Sequence, residues 1–162
     1  MTQGHQSVLN QEMRSTIGIE SEPATYEVEK GAIIRFANAI SDSNPIFNDD
    51  EAARQNRYGG LIAPPTFLRS MNPGPSKIEL PNPYPAVLDG GSKWEYFEPV
   101  RPGDRITVVG KIVDMSEKQG QLGNMLFVVR EIEYRNQFGN PVAIQLNTEI
   151  SYQPQRGESQ KS

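Results

Sequence analysis

The 162-residue chain contains no cysteine and a single histidine, His5, in a polar terminus. The first absence excludes disulfides, thiolate metal sites and cysteine nucleophiles. The second removes most other site chemistry, because Ser-His-Asp triads, His-ligated zinc and histidine general bases all need an imidazole beside the reacting atom. No metal site is expected. No apolar run approaches the ~18 residues of a membrane span, and residues 1–10 have neither the basic start nor the apolar core of a secretion signal. The cytoplasm is the expected location, with no membrane partner. Cations are outnumbered, 16 Lys and Arg against 20 Asp and Glu, and no local run of them offers a footprint for nucleic acid.

What remains is one domain's worth of sequence, enough to bury roughly two-thirds of its unfolded surface. Residues 1–152 read as that domain and the polar residues 153–162 as a frayed tail. Val8, Leu9, Met13, Thr16 and Ile17 fall at helical spacing before Gly18, which predicts a packing helix over 7–17. Residues 25–28 have strand composition. Ile33, Phe36, Ala37 and Ile40 then mark one apolar stripe, and Asn44-Pro45 ends that helix because the residue before proline is pushed out of the α region. Asp49 caps a short helix over 50–56, and Pro65 opens another through Met71.

Five prolines between residues 72 and 86 imply a stiff, ordered cover. Beyond it the pattern becomes strands, over 93–100, 105–115, 125–135 and 141–152, separated by turn signals. This predicts a four-strand antiparallel meander. In the last strand Val142, Ile144, Leu146, Thr148, Ile150 and Tyr152 alternate with Gln145, Asn147, Glu149 and Ser151, so the apolar set is expected to face the core. The sheet needs a cover for its apolar face, and the helices around Ile33 to Ile40 and Thr66 to Met71 supply it. The fold class is α+β, a curled antiparallel sheet around a helix.

The order strand, helix, Asp42-x-Asn44-Pro45-Ile46, then Ile62-Ala63-Pro64-Pro65 and strands carrying Arg101-Pro102-Gly103-Asp104, resembles the MaoC-like hot-dog-fold dehydratases. It is most similar to the dehydratase N-terminal domain of the fatty-acid-synthase type, over about residues 17–152. The resemblance implies a hot-dog fold, pairing as a homodimer or as a heterodimer with another hot-dog subunit, and no cofactor. It also implies a thioester substrate carried on coenzyme A or acyl carrier protein. Active relatives add water reversibly to a 2-enoyl thioester to give an (R)-3-hydroxyacyl thioester.

Two departures stand out against that resemblance. The family's catalytic pair is an Asp and a His five residues on; Asp42 matches, and the His position holds Phe47. General base catalysis from that position, worth ~10² to 10⁴ in rate, is lost. After Ile-Ala the active relatives carry His-Gly, whose Gly N–H donates to the thioester oxygen; here stand Pro64 and Pro65, and proline has no N–H. Removing one such donor costs ~10² to 10³ in rate unless the Thr66 N–H substitutes.

The site expected from sequence is therefore Asp42 as catalytic carboxylate, with Asn44, Phe47, Gly60, Pro65 and Thr66 on the substrate side. Plainer readings stand beside it. Asp42 with Asn44-Pro45 makes an ordinary Asx turn, Phe47 a core aromatic, and Gly59-Gly60 a tight entry to the next helix. Trp94 fits either core or dimer seam. Arg130 and Glu131 read as outward or cross-strand-paired charges, and nothing in the sequence supports Arg130 as a phosphate anchor. Three functions fit: the acyl-binding, non-catalytic partner in a heteromeric enoyl-thioester hydratase or dehydratase; a homodimeric hydratase or thioesterase-like enzyme using Asp42 alone; and an acyl-CoA-binding module without chemistry.

Overall fold

The computed structural model describes residues 7–154, so His5 and the tail beyond Pro154 lie outside the described residues. Five antiparallel strands form one sheet: β1 (Ala24–Glu27), β2 (Ala86–Tyr96), β3 (Arg105–Gly120), β4 (Gly123–Arg135) and β5 (Pro141–Tyr152), in the order β1-β3-β4-β5-β2. The long strands β3, β4 and β5 are sequential hairpin neighbours, as the turn signals predicted.

The first strand of the predicted meander is misplaced in the sequence reading. It runs over Ala86–Tyr96 rather than 93–100, and it pairs with β5 at the far edge rather than with β3. Gly90-Gly91, a breaker by composition, is instead a β-bulge between Asp89 and Ser92. Gly91 takes φ +100° there, with its N–H donated to Asp89 Oδ1 at 2.9 Å. A Cβ on Gly90 would stand 2.9 Å from the Thr148 carbonyl and methyl.

The helices are short. Asn10 caps α1 (Gln11–Ser15) by accepting the Met13 N–H at 2.8 Å, which places its start inside the expected 7–17 segment. The apolar stripe forms α2 (Lys30–Ala39), and α3 (Pro45–Asn48) and α4 (Asp50–Arg54) follow. Asp49 caps α4 as expected, its carboxylate accepting from the Glu51 and Ala52 N–H groups. Pro65–Ser70 is a 3-10 helix.

Two apolar cores sit on the inner face of the sheet. The larger gathers Ile33 from α2, Phe67 and Leu68 from the 3-10 helix, and Val108, Tyr134 and Ala143 from the sheet. The smaller joins Met13 to Ile112, Met115, Leu126 and Val128, with Leu80 and Tyr84 of loop 72–85 packed on it. That loop is an ordered cover. Asn82 Nδ2 donates to Ser151 Oγ at 2.7 Å, and Pro75 O accepts from the Glu22 N–H at 3.0 Å.

The facing of β5 reverses the expectation. Ala143, Gln145 and Ser151 are buried against the cores, whereas Ile144, Leu146, Thr148, Ile150 and Tyr152 are half-exposed on the outer face. A register shift near Tyr134 and Arg135 lets Val142 and Ala143 both be buried. The polar set tolerates burial because it is hydrogen-bonded: Tyr134 OH donates to Gln145 Oε1 at 3.0 Å, Gln145 Nε2 donates to Ser92 Oγ at 2.9 Å, and Ser151 meets Asn82. No helix among the described residues is long and apolar enough to cross a membrane.

Candidate functional site

Asp42 sits where α2 ends. Ser41 adopts φ +56°, its N–H donates to Asn38 O at 3.0 Å, and the Asp42 N–H reaches back to Ala37 O at 2.9 Å. This is the Schellman closure, with serine in the left-handed position that glycine usually fills. A left-handed non-glycine residue costs about 1–2 kcal/mol. The surrounding hydrogen bonds hold the turn: Asp42 Oδ1 accepts the Asn44 N–H at 3.0 Å, and Asn44 Oδ1 accepts the Ile46 N–H at 3.2 Å to cap α3. Asp42 and Asn44 thus carry out turn and cap work in this chain.

Phe47 is 8% exposed and belongs to a cluster with Ala37 and Ile62. Its N–H donates to Asn44 O at 3.0 Å. Ile62 is also a wall of a cleft of about 310 Å³, shared with Tyr58, Pro64, Pro65, Leu68, Tyr96 and Glu98. Phe47 belongs to the packing behind that wall and is not part of the lining.

Of the residues singled out in the sequence, Pro65 lines the cleft, and Asp42, Asn44, Gly60 and Thr66 do not. Gly60 has open space where a Cβ would be, and Gly59, with φ +70°, is the glycine the turn requires. Pro64 is fully buried, Pro65 and Thr66 are exposed, and Thr66 carries the first N–H after the proline pair.

The far wall of the cleft comes from the end of β2 and the chain just past it. Trp94 stacks between Tyr96 and Tyr134, with ring centroids 5.6 and 5.5 Å apart, and this fixes where Tyr96 stands. Burial pushes the phenol pKa of Tyr134 well above its ordinary range and raises that of Tyr96. The one carboxylate on the cleft wall is Glu98, which accepts from Asn136 Nδ2 at 3.1 Å. Sequence reasoning missed Tyr58, Tyr96 and Glu98. The aromatic run from Trp94 to Phe97 was the signal for Tyr96 and for Glu98 just past it, obscured because its strand was assigned to the wrong neighbour, and Tyr58 had no such signal. Nowhere among the described residues do three or more His, Cys, Asp or Glu side chains gather to hold a metal ion.

Comparison with known proteins agrees with this architecture. A family profile described as "FAS1-like, dehydratase domain region" matches residues 15–145. A "UPF0336 protein" of Saccharopolyspora erythraea is 34% identical over 144 residues, covering 85% of this chain and 90% of the relative. A "probable enoyl-CoA hydratase alpha subunit" of Thermomonospora curvata is 27% identical over 144 residues, 78% of this chain but only 45% of the longer relative. Among solved structures, a MaoC-like dehydratase from Rhodospirillum rubrum superposes with a TM-score of 0.67 at 23% identity, covering 86% of this chain and 94% of that one. The ChsH1-ChsH2 complex from Mycobacterium tuberculosis gives 0.76 at 22% identity, covering 90% and 92%. With the strand order and helix placement described above, this chain has the MaoC-like hot-dog fold and belongs to the FAS1-like dehydratase family.

Proposed function

We propose that this chain is the acyl-thioester-binding subunit of a hydratase or dehydratase pair, and that a second hot-dog chain supplies water activation. The observation that carries the reading is the position of Phe47. Where the resembling enzymes place a base, this chain has a buried aromatic, and Asp42 is committed to its turn and absent from the cleft wall. The cleft keeps the apolar lining an acyl group needs, through Ile62, Ala63, Pro64 and Leu68.

Two further observations support a partner. Strand β2, 11 residues long, stands at the edge of the sheet with no strand among the described residues on its far side, an arrangement suited to pairing with another sheet edge. The similar proteins include one named as an alpha subunit and one solved as a complex of two differently named chains. In this reading coenzyme A or an acyl carrier protein delivers the thioester, and the Thr66 N–H, the first after the proline pair, is the backbone donor for its oxygen.

The test is hydration of a short 2-enoyl-CoA by the purified chain, alone and then mixed with a hot-dog protein carrying an intact Asp-x-Asn-Pro-x-His stretch. Silence alone and turnover on mixing is the expected result. Turnover alone overturns it; loss of that turnover in Asp42→Asn or in Glu98→Gln then identifies which carboxylate is the base. Thioester binding without turnover in any combination makes the chain a binding module instead.

A further inference from the structure

The inner face of the sheet is not apolar throughout. Between the two cores Arg130 on β4 stands opposite Asn147 on β5, and Ser92 and Asp89 on β2 stand opposite Asn147 and Glu149. Asn147 is engaged, its Oδ1 accepting from Ser92 Oγ at 2.8 Å and from Arg69 Nη1 at 3.3 Å. Arg69 Nη2 also reaches Asp89 Oδ2 at 3.0 Å.

Arg130 differs. Expected to point outward or to be paired across the strands, it faces inward and is half-buried, with no hydrogen bond or ion pair to any described residue. Its neighbour Glu131 behaves as expected, pairing outward with Lys111 at 3.0 Å. Arg130 stands between two hollows roofed by loop 72–85. The smaller, about 60 Å³, reaches Ser21 and Gly110 and is lined by Lys77 and Lys111 with no carboxylate among its described residues, and the larger, about 430 Å³, is lined by Glu79, Leu80, Asn82 and Glu149.

The chemistry of the larger hollow is selective. Arg130 can only donate hydrogen bonds, and ionised Glu79 and Glu149 can only accept them. A plain hydrocarbon laid across them strips water from three charges and replaces it with nothing. A carboxylate gains Arg130 but meets two like charges. A hydroxyl answers both kinds of group, accepting from the guanidinium and donating to a carboxylate.

We propose that the hollow beneath the proline-rich loop receives an oxygen-bearing part of the acyl group, a hydroxyl in particular, with Arg130 as the residue that selects it. This rests on the acyl-thioester reading above and names the substrate class. The 3-10 helix starts at the cleft with Pro65 and ends at Ser70, ~12 Å on at about 2 Å per residue, so the loop that borders Arg130 follows almost directly in the chain from the cleft wall.

Calorimetric titration of the full chain with decanoyl-CoA and with ω-hydroxydecanoyl-CoA tests the proposal. The hydroxylated ligand is expected to bind about tenfold more tightly than decanoyl-CoA, and Arg130→Met to remove that preference. Glu149→Gln is expected to reduce the preference, and it serves as the readout where Arg130→Met does not fold. Equal affinities in the unsubstituted protein, or a preference the variants leave untouched, overturn the inference and leave acyl binding standing. Failure of both ligands to bind, with or without the partner chain, overturns the acyl-thioester reading and this inference together.

Discussion

The two halves of the inner sheet face are covered by different means. Over the larger core lie α2 and the 3-10 helix, elements that satisfy most of their own backbone hydrogen bonds and only need an apolar side to dock. Over the smaller core lie α1 and the loop 72–85, which has no regular structure and is held at particular points: Asn82 to Ser151, Pro75 O to Glu22, and Gly74 close against Glu22. The first cover is general and tolerant of substitution on its outer surface. The second depends on individual atoms, and it is the one that roofs Arg130.

Core truncation should separate the halves most strongly. Ile33→Ala and Leu126→Ala each empty a site with no solvent exposure, and each should destabilise by about 2–5 kcal/mol in urea unfolding. Native-state hydrogen exchange then shows whether the halves are one cooperative unit. If they are separable, Leu126→Ala should lower protection around Met115 and Tyr84 and spare α2; uniform loss in both variants would erase the contrast.

Next in size is Gly74→Ala. A Cβ there would lie 2.4 Å from the Glu22 carbonyl oxygen, backbone against backbone, so the loop must shift. A loss of about 1–3 kcal/mol is expected, with faster exchange confined to loop 72–85 and its contacts. An unchanged loop would mean that its anchoring does not pass through Glu22.

The smallest effect belongs to the bond within the larger core's polar edge. Tyr134→Phe deletes the donor to Gln145 and should cost about 1 kcal/mol at neutral pH. The folded-state pKa of Tyr134 is raised above the ordinary 10.0, first by burial. Its stabilising contribution is therefore full below pH 10 and declines as pH rises beyond that value, where the unfolded chain ionises first. Tyr134→Phe should flatten the alkaline limb of a stability-versus-pH curve; an identical limb would place the alkaline sensitivity elsewhere.

The sequence carried the fold class and the order of turns because those rest on local rules: Asn10 and Asp49 as caps, the i, i+3, i+4 stripe of α2, and alternation in the strands. It could not say which face of β5 points inward. Apolar alternation is the usual guide, and here it was overridden by hydrogen bonds to residues far along the chain, Gln145 to Ser92 and Ser151 to Asn82. The edge position of β2 was hidden for a similar reason, since strand order depends on partners and not on the strand's own residues.

The site was legible as chemistry and not as geometry. Phe47 and Pro65 were readable as departures from the resembling enzymes, whereas two walls of the cleft, Tyr96 and Glu98, became visible only once β2 had its neighbour. Arg130 shows the limit from the other side, because a charge in mid-strand gives no sign of whether water or a hollow lies over it.

The bulge at Gly90-Gly91 bears on which chains can approach. An open strand edge with apolar side chains invites indiscriminate assembly, and in crowded surroundings the outcome is precipitation. In β2 the edge is interrupted by a kink at its middle, and Asp89, Lys93 and Glu95 stand on it as charges of both signs. A counterpart strand with a matching kink and an opposite pattern of charge would fit such an edge along its whole length, and a flat apolar one would not.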